Sequence, residues 1–147
     1  MNPPASPDRV YCHLHRVVYA ECTVGDHIYH SRYLDILEAA RGEFLRAAGH
    51  PVRALQDAGF IFPVIEARLR YYRPARYDDC LRVEVRLTEV TALRLGVHHR
   101  VRLESGTLVL DAETRHVCTS PVEKPRRMAP ALLETLRAWL TEAPPEP

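Results

Sequence analysis

Residues Glu21 to Gly42 read ECTVGDHIYHSRYLDILEAARG, and this stretch decides the fold. A polar turn rich in acid and imidazole runs straight into a strongly amphipathic helix. From Tyr33 onward, Leu34, Leu37, Ala40, Phe44 and the Ala47-Ala48 pair fall at helical three-and-four spacing, while Asp35, Arg41, Glu43 and Arg46 mark a wet face. The spacing predicts a helix from about Tyr29 to Ala48, stopped by Gly49. The unpaired N–H groups of its first turn, and the positive end of its dipole, face the His27 to His30 segment, where a carbonyl oxygen can be polarised.

Outward from the helix the pattern changes to period two. Val10 to Ala20, rich in Val, Tyr and His, reads as a first strand, and Val52 to Ala58 as a short second helix. Ile61–Tyr72, Cys80–Thr88, Ala92–Glu104 and Thr107–Thr119 read as further strands. Leu81, Val83, Val85 and Leu87 alternate along one of them, and Leu93, Leu95, Val97, Val101 and Leu103 along the next, with Ser105-Gly106 as a hairpin turn. Such alternation requires an antiparallel sheet with one face against the core, and only the long helix can cover that face. The fold class is therefore α+β, a sheet wrapped on one helix.

The chain has 147 residues and a formal net charge of +1. That length suits one core, and the expected organisation is a flexible N-terminus over residues 1–9, one domain over 10–142 and a flexible C-terminus over 143–147. Proline clusters at both ends deny the backbone its ladder bonds. No group of Lys and Arg is interleaved with aromatics, which argues against a nucleic-acid partner. No apolar run reaches about 18 residues, and Met1 to Arg9 has no apolar centre, so a soluble cytoplasmic protein with no membrane partner is expected. The four cysteines, Cys12, Cys22, Cys80 and Cys118, are far apart with no C-x-x-C pair and read as buried thiols. His13, His15 and the His98-His99 pair make no metal site, because adjacent strand residues point to opposite faces and no third ligand is spaced to join them.

The chain resembles the hotdog-fold acyl-CoA thioesterases of the 4-hydroxybenzoyl-CoA thioesterase type. The likeness rests on Glu21, His27, Ile28, Tyr29, Tyr33, Leu34, Glu38, Ala40 and Arg41. It extends to Gly59-Phe60, to Tyr72-Arg73-Pro74-Ala75, to Asp78-Asp79-x-Leu81, and to Lys124-Pro125-Arg126-Arg127-x-x-Pro130. The resemblance implies a hotdog fold with an antiparallel sheet around a long central helix. It also implies hydrolysis of an acyl thioester of coenzyme A or a carrier protein, no cofactor, and a homodimer or homotetramer with the sites at subunit boundaries. Where that family places its catalytic Asp, this chain has Thr23, and Gly25-Asp26 stands where its glycine would be.

Thioester hydrolysis needs a base or nucleophile, donors for the oxygen that gains charge, and a slot for the acyl group. Backbone N–H groups near Tyr29 and His30 are the candidate donors. Thr23 can orient a water but cannot take its proton near neutral pH, which leaves Asp26, His30 and Glu38 as candidate bases. The bland roles of these three are helix capping for Asp26, interface packing for His30, and an exposed or Arg41-paired acid for Glu38. His27 reads as a loop-shaping residue. Arg70, Arg73 and Arg76, with Arg126 and Arg127, are candidates for the coenzyme A phosphates, because guanidinium binds phosphate bidentately. Two other readings compete: an acyl-thioester binder that lost its acid, and a hotdog hydratase, whose G-D-x-N-P-x-H motif Gly25-Asp26 and His30 match only in part.

Overall fold

The alternating apolar residues build a five-stranded antiparallel sheet in a computed structural model of the protein, which describes residues 9–147. Most of the expected flexible N-terminus, residues 1–8, lies outside the described residues. The strands are β1 (Tyr11–Arg16), β4 (Val64–Tyr71), β5 (Cys80–Val90), β6 (Arg94–Leu103) and β7 (Leu108–Val117), in the order β1-β5-β6-β7-β4. Two short strands, β2 (Cys22–Thr23) and β3 (His27–Ile28), form a separate hairpin. Three helices complete the fold: α1 (Arg32–Ala47), α2 (Val52–Asp57) and α3 (Pro130–Arg137).

The sheet curls around α1. Leu81, Val83, Val85 and Leu87 point inward from β5 and are buried, as are Leu95, Val97 and Val101 from β6 and Leu110 and Ala112 from β7. From α1 they meet Tyr33, Ile36, Leu37, Ala40, Phe44 and Leu45. Each fully buried aliphatic side chain of this kind contributes on the order of 1.5–3 kcal/mol. Leu34, expected in the stripe, lies off it and is 43% exposed; the stripe runs through Tyr33, Ile36, Leu37, Ala40 and Phe44 instead. The helix ends in a Schellman turn. Gly49 sits at φ +89°, and the His50 N–H donates to the Leu45 carbonyl.

The first strand, read as Val10 to Ala20, ends at Arg16, and the start of α1 and the burial of β6 also differ from the sequence reading. Helix α1 starts at Arg32 rather than Tyr29, because Ile28 N–H donates to the Ala75 carbonyl and Tyr29 N–H to the Glu21 carbonyl, which holds the chain extended through Tyr29. Strand β6 is buried on both faces rather than one. On its outward face His98 and Arg100 share Asp111 of β7, at 3.1 and 2.8 Å, and Arg100 also reaches the Pro145 carbonyl. Residues 143–147 carry no helix or strand, yet Glu146 lies 3.4 Å from Arg70 on this same outer face.

Candidate active site

The β2–β3 hairpin delivers its residues to the start of α1. Its turn is Val24-Gly25-Asp26, with Gly25 at φ +91° and Asp26 at φ +56°, a left-handed conformation that Gly takes freely and Asp tolerates. Arg76 clamps the tip by donating to the carbonyls of Gly25 (2.9 Å) and Asp26 (3.2 Å). Glu21, at the hairpin base, is committed as well: it accepts from His15 Nε2 and from the Val18 N–H. Beside the hairpin opens a chamber of about 440 Å³, whose lining includes Thr23, His27, Tyr29, His30, Tyr33 and Tyr71.

The chamber is aromatic and rich in donors. Tyr71 donates to the His30 carbonyl at 2.9 Å and meets the Tyr33 ring edge-on at 5.6 Å, so the end of β4 fixes the entrance to α1. Tyr33 is buried, which pushes its hydroxyl up to about 12, the Ala75 backbone opposing the shift. Tyr29 and His30 pack ring against ring at 4.3 Å. His27 Nδ1 lies 3.1 Å from the Ile28 carbonyl and donates to it. The Tyr29 N–H, expected as a thioester donor, is taken by the Glu21 carbonyl at 2.9 Å. The His30 and Ser31 N–H groups have no backbone acceptor among the described residues, so the donors at the helix start begin one residue later than the sequence suggests.

The expected site residues do not all converge. Thr23, Tyr29, His30 and Arg73 line the chamber. Asp26 does not; it is exposed at the hairpin tip, and Ser31, not Asp26, occupies the N-cap position of α1, without a side-chain bond. Arg70 points to the outer face of β4, where alternation with Tyr71 puts it, and Arg76 is occupied with the hairpin. Arg126 donates to the carbonyls of Ala58 and Gly59 and covers the Phe60 ring at 4.0 Å. Among the described residues, no Asp or Glu lines this chamber.

Glu38 lies on a second chamber, of about 460 Å³, between α1, α2 and the start of β4. Its walls are apolar, built from Phe44, Leu45, Leu55, Phe60, Phe62 and Val97 among others, with Glu38, Arg41, Gln56 and His116 as its ionisable or amide side chains. Arg41, assigned to the wet face, is half-buried here, because it follows Leu37 by four residues and precedes Phe44 by three, and its long stem lies along the apolar stripe. Glu38 and Arg41 make no ion-pair contact, although the Glu38 charge favours the charged guanidinium and partly opposes the effect of its burial. His116 donates from Nδ1 to the Phe62 carbonyl (3.1 Å) and accepts at Nε2 from the Thr114 hydroxyl (2.9 Å). Burial, and then the Arg41 charge, hold it down to about 4, so it is neutral. Sequence reasoning missed Tyr71, Phe62 and His116. The available signal for His116 was its inward parity with Leu110, Ala112 and Thr114 along β7.

The chain matches the model of the thioesterase-like superfamily over residues 17–140. It is 32% identical over 119 residues to an acyl-CoA thioester hydrolase, YbgC, of Escherichia coli, covering 80% of this chain and 89% of that one. It is 29% identical to a 1,4-dihydroxy-2-naphthoyl-CoA hydrolase of Thermosynechococcus vestitus, over 99% of this chain and 96% of the relative. A hypothetical protein from Thermus thermophilus, solved by crystallography, superposes with a TM-score of 0.83 at 34% identity, covering 87% of this chain and 98% of the other.

Proposed function

Because this chain belongs to the thioesterase-like superfamily and has the hotdog fold, we propose that it hydrolyses an acyl-CoA thioester to free acid and thiol, with each site completed by a second copy of the chain. The observation that carries the reading is the division of labour between the chambers: donors without a carboxylate in one, a carboxylate beside an apolar slot in the other.

Strand β4 links them. It is an edge strand, with Val64, Ile65 and Tyr71 each about half exposed, and an uncovered apolar edge of this kind seeks a partner. The first chamber adjoins the end of β4 at Tyr71, and the second adjoins its start at Val64. Antiparallel pairing of two copies about the middle of β4 sets the end of one strand beside the start of the other. The donor chamber of one copy then opens onto the acyl chamber of its partner, and Glu38 of that partner faces the helix start.

In this arrangement the thioester carbonyl oxygen accepts from the His30 and Ser31 N–H groups. Glu38 of the second copy takes a proton from a water oriented by Thr23, and the water oxygen bonds to the acyl carbon. The negative charge gathers on the carbonyl oxygen. Its collapse breaks the carbon–sulfur bond, and the departing thiolate takes the proton back from Glu38. Arg73, at the chamber rim, donates to the Tyr72 carbonyl at 3.0 Å and offers its remaining N–H groups to the coenzyme A phosphates.

Thiol release from a panel of aromatic and medium-chain acyl-CoA esters, together with light scattering, tests the proposal. Release by a dimer or tetramer is expected. Calorimetric binding of the esters with no release would favour the non-catalytic binder, and an active monomer would remove the shared site.

A further inference from the structure

Arg41 is the unexplained charge of the acyl chamber. Its guanidinium carries five N–H donors and makes no hydrogen bond or ion pair within the described residues, although it is half-buried against Phe44, Leu45 and the β6–β7 wall. A cation withdrawn from water into apolar surroundings is costly unless an acceptor meets it. The neighbours do not supply one. His116 has both ring nitrogens engaged, and the exposed Glu38 favours the Arg41 charge from a distance but makes no hydrogen bond or ion-pair contact with it.

A second group points the same way. His99, on the inward face of β6 between Val97 and Val101, is fully buried, and neither of its ring nitrogens has a hydrogen-bond partner; the Glu84 backbone approaches without meeting hydrogen-bond geometry. The Arg41 charge acts on His99 and on His116 alike and disfavours protonation of both. Arg41 and the neutral His116 thus share the chamber lining with Glu38 and Gln56, while His99 lies outside the lining but near enough for the Arg41 charge to act on it. Glu38 and Arg41 are three residues apart, so they stand about one helical turn, roughly 5 Å, apart along α1. An acyl group whose thioester sits level with Glu38 extends past Arg41.

We infer that Arg41 selects the acyl group, and that the preferred substrates are thioesters of dicarboxylic acids whose free carboxylate pairs with the Arg41 guanidinium. The inference rests on the reading of this chamber as the acyl pocket. A carboxylate matches the guanidinium fork with two parallel hydrogen bonds, and the apolar walls accept the methylene chain between the two ends. An unbranched acyl group ending in a methyl leaves the cation unmet.

The test compares adipoyl-CoA with hexanoyl-CoA, which differ only at the far end, in the wild type, Arg41→Leu and Arg41→Lys. Calorimetry on the matching non-hydrolysable thioethers, 5-carboxypentyl-CoA and hexyl-CoA, gives a readout independent of turnover. The wild type is expected to favour the carboxylate member by about tenfold or more in kcat/KM and in Kd. Arg41→Leu should collapse that ratio to near one or invert it, and Arg41→Lys, which keeps the charge but loses the fork, should keep part of it. Equal handling of the two esters by the wild type would overturn the assignment, as would an Arg41→Leu variant that weakens both alike. If neither thioether binds and no acyl-CoA is cleaved, the acyl-pocket reading itself fails and takes this inference with it.

Discussion

The two ends of α1 have opposite chemistry. At its N-terminus the chamber is made of backbone donors, imidazoles and tyrosine rings; about 12 Å further along, counting eight residues from Tyr33 to Arg41, the chamber is made of Phe, Leu and Val around one acid and one guanidinium. One end can stabilise an oxyanion but lacks a proton acceptor of carboxylate type. The other holds a carboxylate, Glu38, beside apolar walls. On the proposed mechanism a single copy contains the two halves of the site at separate places, and the exposed β4 edge is the feature that would unite them.

Removing the acid should produce the largest effect. Glu38→Gln keeps the shape and deletes the proton acceptor, with an expected loss of about a thousandfold in kcat, within the usual range for a general base. Mixing makes the test sharper. A heterodimer of Glu38→Gln with a copy defective at the helix start retains one complete site if the two halves come from different copies, and none if they come from the same one. Recovered activity on mixing is expected; its absence would break the cross-copy division.

The acyl end should also be visible in stability. His116 is buried neutral, its pKa brought down from 6.5 to about 4 by burial and by Arg41. In the unfolded chain it regains its ordinary value, so between about pH 6.5 and 4 the unfolded state binds the extra proton and stability falls as pH falls. At 1.36 kcal/mol per unit, the loss from this one group is on the order of 3 kcal/mol across that window. Denaturant unfolding at a series of pH values should show the decline, and His116→Gln should flatten it. A slope unchanged in the variant would assign the acid sensitivity to other groups, His99 first among them.

At the donor end the His30 amide is the group to delete. His30→Pro removes its N–H while Tyr29, already extended, suits the residue before a proline. A loss of about a hundredfold in kcat is expected, the low end for one oxyanion donor. Unchanged turnover would hand the role to the Tyr29 amide and require the Glu21 carbonyl to release it.

How much of this was legible beforehand divides along physical lines. Period-two alternation in β5 and the apolar stripe of α1 are local patterns, so the α+β class and the sheet-on-helix arrangement could be read from residues such as Leu81, Val83, Leu37 and Phe44. The helix start could not be fixed, because the Tyr29 N–H is captured by Glu21, a partner whose position depends on the hairpin closing. Arg41 was assigned to solvent by its charge, although its spacing from Leu37 and Phe44 sets its stem beside the apolar stripe, and the wheel alone does not show α2 and the β4 entry closing over it. The double burial of β6 was hidden for a similar reason: His98 and Arg100 read as solvent-facing polar residues until Asp111 and the C-terminal residues come to lie against them. Pairings distant in sequence account for each of these differences.

The smallest expected effect belongs to the residue that the sequence made a leading candidate. Asp26 lies in the same turn as Thr23, yet its backbone is in the left-handed region at φ +56°, its carbonyl is held by Arg76, and its exposed side chain is not part of the chamber lining. Asn adopts the left-handed conformation about as readily as Asp, so Asp26→Asn changes the charge and little else. The variant should keep kcat/KM within about twofold and unfold at nearly the same denaturant concentration, as surface substitutions away from special features do. A hundredfold fall would have one physical meaning: the hairpin folds over during turnover, Arg76 lets go of the tip, and the Asp26 carboxylate enters the donor chamber as the base. In that case the chamber at the start of α1 would need no acid from the far end of a second copy, and the contrast between the two ends would be one of resting shape rather than of chemistry.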